Sequence, residues 1–293
     1  MKKITKTEHN LINDSNSGAK ISIVNRDDFS LIKKAEKINL DRFKLNIIKQ
    51  EIFLPIGPFK SASILTKRSI KNKVEILMPF YNGLSGSSFS KKINLQDLDF
   101  LLDSFLIYFK FLYKESAEKK LSGNLLIKKC DSIKNGINKN KFFSRQDKSF
   151  LLHGVDNLKK SIKTDYVYPH SSCHGDFTLN NMIYDDVSKS IVLIDFLDTY
   201  ISSYLIDIAK IKQDLVYGWS VRREPKTVRI KASIMGEHIY KNIHSLINKK
   251  YKNLFKVIDC LNTLRIAPYI NDNYSKEWIL EVLKNNQSKE LNL

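Results

Sequence analysis

One stretch constrains this chain more than any other: His174-Gly175-Asp176-Phe177-Thr178-Leu179-Asn180-Asn181, followed by Val192-Leu193-Ile194-Asp195-Phe196. Asp176 and Asn181 are spaced for a short loop that runs into a further element. Asp195 ends an apolar run, Ser190 to Ile194, that reads as a strand. One carboxylate, one carboxamide and a second carboxylate in this order suit phosphoryl transfer from ATP. That chemistry needs a base at the acceptor hydroxyl and two oxygen-bearing side chains that hold Mg²⁺ against a triphosphate. Asp176 fits the first role, and Asn181 and Asp195 the second. A bland alternative for Asp176 is a helix N-cap before Thr178 and Leu179.

The pattern resembles the catalytic loop and metal-binding Asp of the aminoglycoside phosphotransferase and choline kinase-like family, small-molecule kinases that share the protein-kinase fold. The family's loop is His-Gly-Asp, four variable residues, then Asn, matched here at His174, Gly175, Asp176 and Asn181. Its metal Asp follows on a short strand, as Asp195 does, with Asp198 three positions on. Its Asp-Ile/Leu-Ala on the next helix is matched by Asp207-Ile208-Ala209. The resemblance implies an α+β, two-lobed, protein-kinase-like fold. A small antiparallel-sheet lobe would span residues 1–82, and a larger, mainly helical lobe with the catalytic loop and acceptor site would span 83–293. It further implies that His174 packs and hydrogen-bonds to keep Asp176 in place within the catalytic loop. Asp207 would hold that loop by its backbone, and Asp198 would either bind a second metal or form only a turn.

Hydrophobic patterning ahead of this region fits such a small lobe. Residues 20–24 and 29–34 read as strands around the polar turn Asn25 to Asp28, and 41–53 carries a helical stripe at Phe43, Ile47, Ile48 and Ile52. Residues 62–66 and 74–78 read as two more strands. In the resembled family, the strand after the first turn carries a lysine for the α- and β-phosphates of ATP. Lys33 is the candidate, because alternation from Leu31 aims it away from Ile32. The Lys33-Lys34 doublet leaves the register open, and a one-residue slip reverses the face. The phosphate-covering turn would be residues 14–20, with Ser17 and Gly18 at its tip. Met78 to Tyr81, including Met78 and Phe80, would present backbone groups to the adenine edge. The helix should carry a Glu partner for the lysine, but Asn46 stands near the expected place and Glu51 more than a turn later.

Composition bounds the remaining possibilities. The sequence has 293 residues, is 42% hydrophobic and 27% charged, and shows no apolar run long enough to cross a bilayer. Cys130, Cys173 and Cys260 have neither metal-ligand spacing nor an even count, which fits a reducing compartment. A cytosolic location is the expectation. The formal charge of +18 raises a nucleic-acid reading, but the lysines are scattered and no nucleic-acid-binding motif accompanies them. Such a field would attract ATP and other anions, and it is an odd background for a polycationic acceptor. The expectation is therefore a small hydroxyl-bearing acceptor, with no nucleic-acid or membrane partner. Tyr217, Trp219, Arg222 and Arg223 are candidates to contact it. The competing reading is a non-catalytic nucleotide-binding pseudokinase or scaffold.

Overall fold

The computed structural model describes residues 19–26, 29–86, 88, 95–185 and 187–290; the proposed phosphate-covering Ser17 and Gly18 lie outside them. The chain divides into two compact units, Met1–Gly86 with Asn181–Asp198, and Ser87–Asn180 with Thr199–Leu293. Residues 181–198, which the sequence reading placed in the helical lobe, thus belong to the first unit.

In the first unit, β1 (Lys20–Arg26), β2 (Phe29–Glu36), β4 (Thr66–Ile70) and β5 (Lys73–Pro79) form an antiparallel sheet in the order β1-β2-β5-β4. Helix α1 (Leu40–Glu51) buries Phe43 and Ile47 in a core with Val74, Ile76, Met78 and Ala62. The strand expected at 62–66 is not formed. Ala62 is drawn into the core and donates its N–H to the Leu193 carbonyl, so the ladder begins only at Thr66. A second sheet, β3-β10-β9-β6, joins β3 (Phe59–Ser61) and β6 (Leu84–Ser85) to β9 (Met182–Asp185) and β10 (Ser190–Leu193). β10 is nearly all buried, as its continuous apolar run requires.

The second unit is mainly helical: α2 (Leu95–Lys114), α3 (Gly123–Lys139), α4 (Arg145–Ser161), α5 (Tyr204–Leu215), α6 (Lys226–His244), α7 (Lys252–Leu264) and α8 (Asn273–Glu290). The lysine-rich stretch after residue 114 contains a strand, β7 (Ala117–Ser122). It pairs with β8 (Asp165–His170) although only Leu121 of β7 is buried. The pairing partner rather than local propensity makes that strand. α3 turns its lysines to solvent and buries Leu126, Cys130, Ile133 and Ile137 on one face. α5 is buried at every position but one. Among the described residues no helix is long and apolar enough to cross a membrane.

Candidate active site

In the second unit, α5 is the element that organises the loop 174–180. Its buried length carries three charged residues, Asp207, Lys210 and Asp214. The spacings of three and four residues put them on one helix face. Each engages a different level of the loop. Asp207 accepts the backbone N–H of His174 and of Gly175, both at 2.7 Å, and the Tyr108 hydroxyl at 2.9 Å. Lys210 Nζ lies 2.7 Å from Asp176 Oδ1. Asp214 accepts the N–H of Leu179 and of Ser220. A fully buried carboxylate costs several kcal/mol unless its lone pairs are satisfied, and Asp207 meets that condition with three donors. Its expected role as the backbone anchor of the loop is thus realised.

The residues around Asp176 fix it further. Gly175 has φ +88°, a conformation that side chains rarely adopt, so the glycine lets the chain turn beneath Asp207. His174 is fully buried, and its Nδ1 accepts the Asp176 N–H at 3.2 Å. Phe177 stacks on Tyr108 with centroids 4.6 Å apart and is edged by Phe105 and Phe109. Asp176 itself stays partly exposed, and Arg265 Nη2 reaches the same Oδ1 at 3.5 Å. Burial pushes the Asp214 carboxyl up to about 6, against hydrogen bonds from Ser220 and the Leu179 N–H that favour its ionised form.

The first unit holds the other group. Lys34, not Lys33, reaches Asp195, with Nζ 2.6 Å from Oδ1. The sheet register explains the one-residue shift. Lys34 pairs with Ile76 and Ile32 with Met78, so Lys34 shares the core-facing side of β2 with Ile32. Lys33 lies on the other face and pairs with Glu75 at 3.0 Å. The Glu75 carboxyl is held below its usual range by hydrogen bonds from Lys73 and then Lys33. Among the described residues no helix glutamate pairs with Lys34. Glu51 pairs with Lys67 at the surface. Asn46 and Lys49 of α1 instead clasp the segment after Asp195. Asn46 Oδ1 accepts the Asp198 N–H at 2.7 Å, and Lys49 Nζ donates to the Leu197 carbonyl at 2.6 Å.

Asp195 has φ +60°, a left-handed backbone that Asp tolerates better than most residues. The Asn181 carbonyl accepts the Ile194 N–H at 3.0 Å, so Asn181 and Asp195 stand at the same end of β9 and β10. Two hard-oxygen side chains there fit Mg²⁺, which keeps several waters and is held by one or two protein groups plus substrate phosphates. Among the described residues no cluster of three or more His, Cys, Asp or Glu forms a ready-made cage. Asp198 is exposed, and its backbone is tied to Asn46.

Other expected contacts fall elsewhere. The Met78 side chain packs in the core, which does not bear on its backbone groups, and the Phe80 N–H is engaged by the Ser30 carbonyl within the sheet, which removes that N–H as an adenine donor. Tyr217 donates to Asp259, Trp219 packs on Trp278 and on the Arg222 guanidinium, and Arg223 pairs with Asp272. These four knit helices together. Lys210 and Asp214 were missed by sequence reading, because their partners lie in the distant loop. Arg265 had no local signal.

No family model matches the sequence, and no curated protein matches it. Solved structures do match in fold. An aminoglycoside-3'-phosphotransferase of type VIII superposes over 85% of this chain and 90% of its own, with a TM-score of 0.55 at 12% identity. A thermostable mutant of aminoglycoside phosphotransferase APH(4)-Ia matches over 86% and 92%, with a TM-score of 0.49 at 9% identity. A glucosamine kinase matches over 93% and 77%, with a TM-score of 0.49 at 9% identity. The first likeness shows that this chain has the protein-kinase-like fold of the aminoglycoside phosphotransferases, a small antiparallel-sheet unit with a larger helical one.

Proposed function

We propose that this protein is a small-molecule kinase that transfers the γ-phosphoryl group of ATP to a hydroxyl of a sugar, amino alcohol or related metabolite. The observation that carries the reading is the Lys34–Asp195 pair, a buried cation and a partly exposed carboxylate 161 positions apart in sequence. A lysine for the phosphates beside an Asp for the metal is the pairing that phosphoryl transfer uses. The shared fold supports the reaction class but names no acceptor.

In this reading Asp176 orients the acceptor hydroxyl. The oxygen attacks the γ-phosphorus as the bond to the bridging β-γ oxygen breaks, and the proton passes late to Asp176. A loose transition state needs positioning more than a strong base, so an ordinary carboxylate suffices. Lys34 would hold the α- and β-phosphates. Asn181 and Asp195 would hold Mg²⁺, with Asp198 as a candidate for a second ion. When bound, the ion neutralises charge on the β- and γ-oxygens. The backbone bonds from Asp207 and the packing of His174 and Phe177 keep Asp176 where the hydroxyl must arrive. The reaction belongs where ATP is abundant, which is the cytosol.

A second reading, nucleotide binding without transfer, has one observation in its favour: Lys210 and Arg265 both engage Asp176. One experiment separates the two. Mg²⁺-dependent ADP release is measured across pooled sugars, amino alcohols, nucleosides and aminoglycosides, with Asp176→Ala in parallel. Transfer predicts turnover in one pool and a loss of about a hundredfold or more in the variant, the scale of a general base. Mg-ATP binding without turnover in any pool supports the second reading, and failure to bind Mg-ATP would sink both.

A further inference from the structure

Two cationic side chains meet Asp176, and one of them, Arg265, is held in place by more than Asp176 itself. Lys210 is almost wholly buried on α5. Arg265, just past the end of α7, is 40% exposed, so it faces both the carboxylate and solvent. Its Nε donates to Asn262 Oδ1 at 3.0 Å. Asn262 is itself buried and fixed by the Ala209 carbonyl and Gln213 Oε1. The guanidinium is therefore aimed by a buried amide, and among the described residues its Nη1 has no hydrogen-bond partner. Tyr200 is neutral and lies near both Arg265 and Lys129. Burial raises its phenol, and the nearby Arg265 charge pulls the other way. The Lys129 ammonium lies 5.9 Å from the centre of the Tyr200 ring.

A lone carboxylate whose task is to receive a hydroxyl does not need two cations on one oxygen. A cationic or neutral acceptor would gain nothing from an oriented guanidinium beside the reacting oxygen, and a polyamine would be repelled by it. An acceptor with its own negative group near the hydroxyl would be drawn in. The planar Arg fork matches carboxylate and phosphate geometry, and Lys210 would keep Asp176 neutralised when a second anion arrives. We infer that the acceptor carries a carboxylate or phosphate group close to the hydroxyl that is phosphorylated, and that Arg265 is the residue that binds this group.

The inference rests on the phosphotransfer reading for the identity of the site, but binding tests it separately from turnover. The full-length protein, saturated with Mg-ADP so that its nucleotide groups are occupied, is titrated by calorimetry with glucose, glucuronate, a glucose phosphate and glucosamine. The expectation is that at least one acid binds roughly tenfold or more tightly than glucose, the scale of one charge-assisted contact, and that glucosamine binds no better than glucose. Arg265→Gln should erase that difference, and Arg265→Lys should restore part of it. If neither acid binds more tightly than the neutral sugar, or if the preference survives in Arg265→Gln, the inference is overturned. With Mg-ATP in place of Mg-ADP, tight binding of an acid without ADP formation would sustain the inference and sink the transfer reading. Turnover of glucose or glucosamine in preference to both acids would do the reverse.

Discussion

Lys33 and Lys34 differ in the two respects that matter to an ammonium group, its exposure and its partner. Lys33 is 36% exposed and shares Glu75 with Lys73, a surface arrangement of small energetic weight. Lys34 is 10% exposed and faces Asp195. Lys34→Ala is therefore expected to lower kcat/KM for Mg-ATP by about tenfold to a hundredfold, the worth of hydrogen bonds to charged groups, whereas Lys33→Ala stays near wild type. Steady-state kinetics of the two variants checks this, and equal losses would remove Lys34 from the nucleotide site. On a strand, two adjacent lysines point to opposite faces. Which of them faces inward depends on whether Leu31 or Ile32 belongs to the core, and only the register with β5 supplies that.

The loop of 174–180 is held as much by α5 as by its own residues, because that helix buries charge on the face that meets it. Asp214 gives this arrangement a pH signature. Its folded carboxyl titrates near 6, about two units above an unfolded Asp, so the folded state binds a proton more readily. From pH about 4 to 6 the folded state holds a proton that the unfolded state has lost, so this group's contribution falls as pH rises. The difference amounts to roughly 3 kcal/mol across the window. Urea denaturation at pH 4.5 and 7 should therefore show a stability loss in the wild type that is smaller in Asp214→Asn. An identical pH response in the two proteins would remove Asp214 as its source. The same helix was expected from the family resemblance, through Asp207-Ile208-Ala209. Its buried lysine and second aspartate were present in the letters, but a charge inside a helix is informative only when its partner is known. Here the partners lie in the loop some thirty residues earlier.

At the scale of the whole molecule the excess of 49 Lys and Arg over 31 Asp and Glu gives the chain a net positive field. Attraction between that field and an anionic nucleotide is screened by salt, with a Debye length near 10 Å at about 0.1 M. The KM for Mg-ATP is expected to rise several-fold between about 0.05 and 0.3 M ionic strength, measured with a monovalent salt at constant pH. A flat response would mean that the charge is too dispersed to steer the nucleotide. The sequence by itself determined the candidates Asp176, Asn181 and Asp195 and the strand ahead of Asp195, while the resemblance to the kinase family pointed to the helix near Asp207. The candidates and the strand depend on residue type and short-range periodicity, which are written locally. The tertiary structure decided which lysine reaches Asp195, how α1 holds the following segment through Asn46 and Lys49, and that Lys210 and Arg265 converge on Asp176. Each of these is a contact across many residues of chain. Its energy exists only after strand register and helix packing bring the partners within a few ångströms, so nothing in the local sequence encodes it.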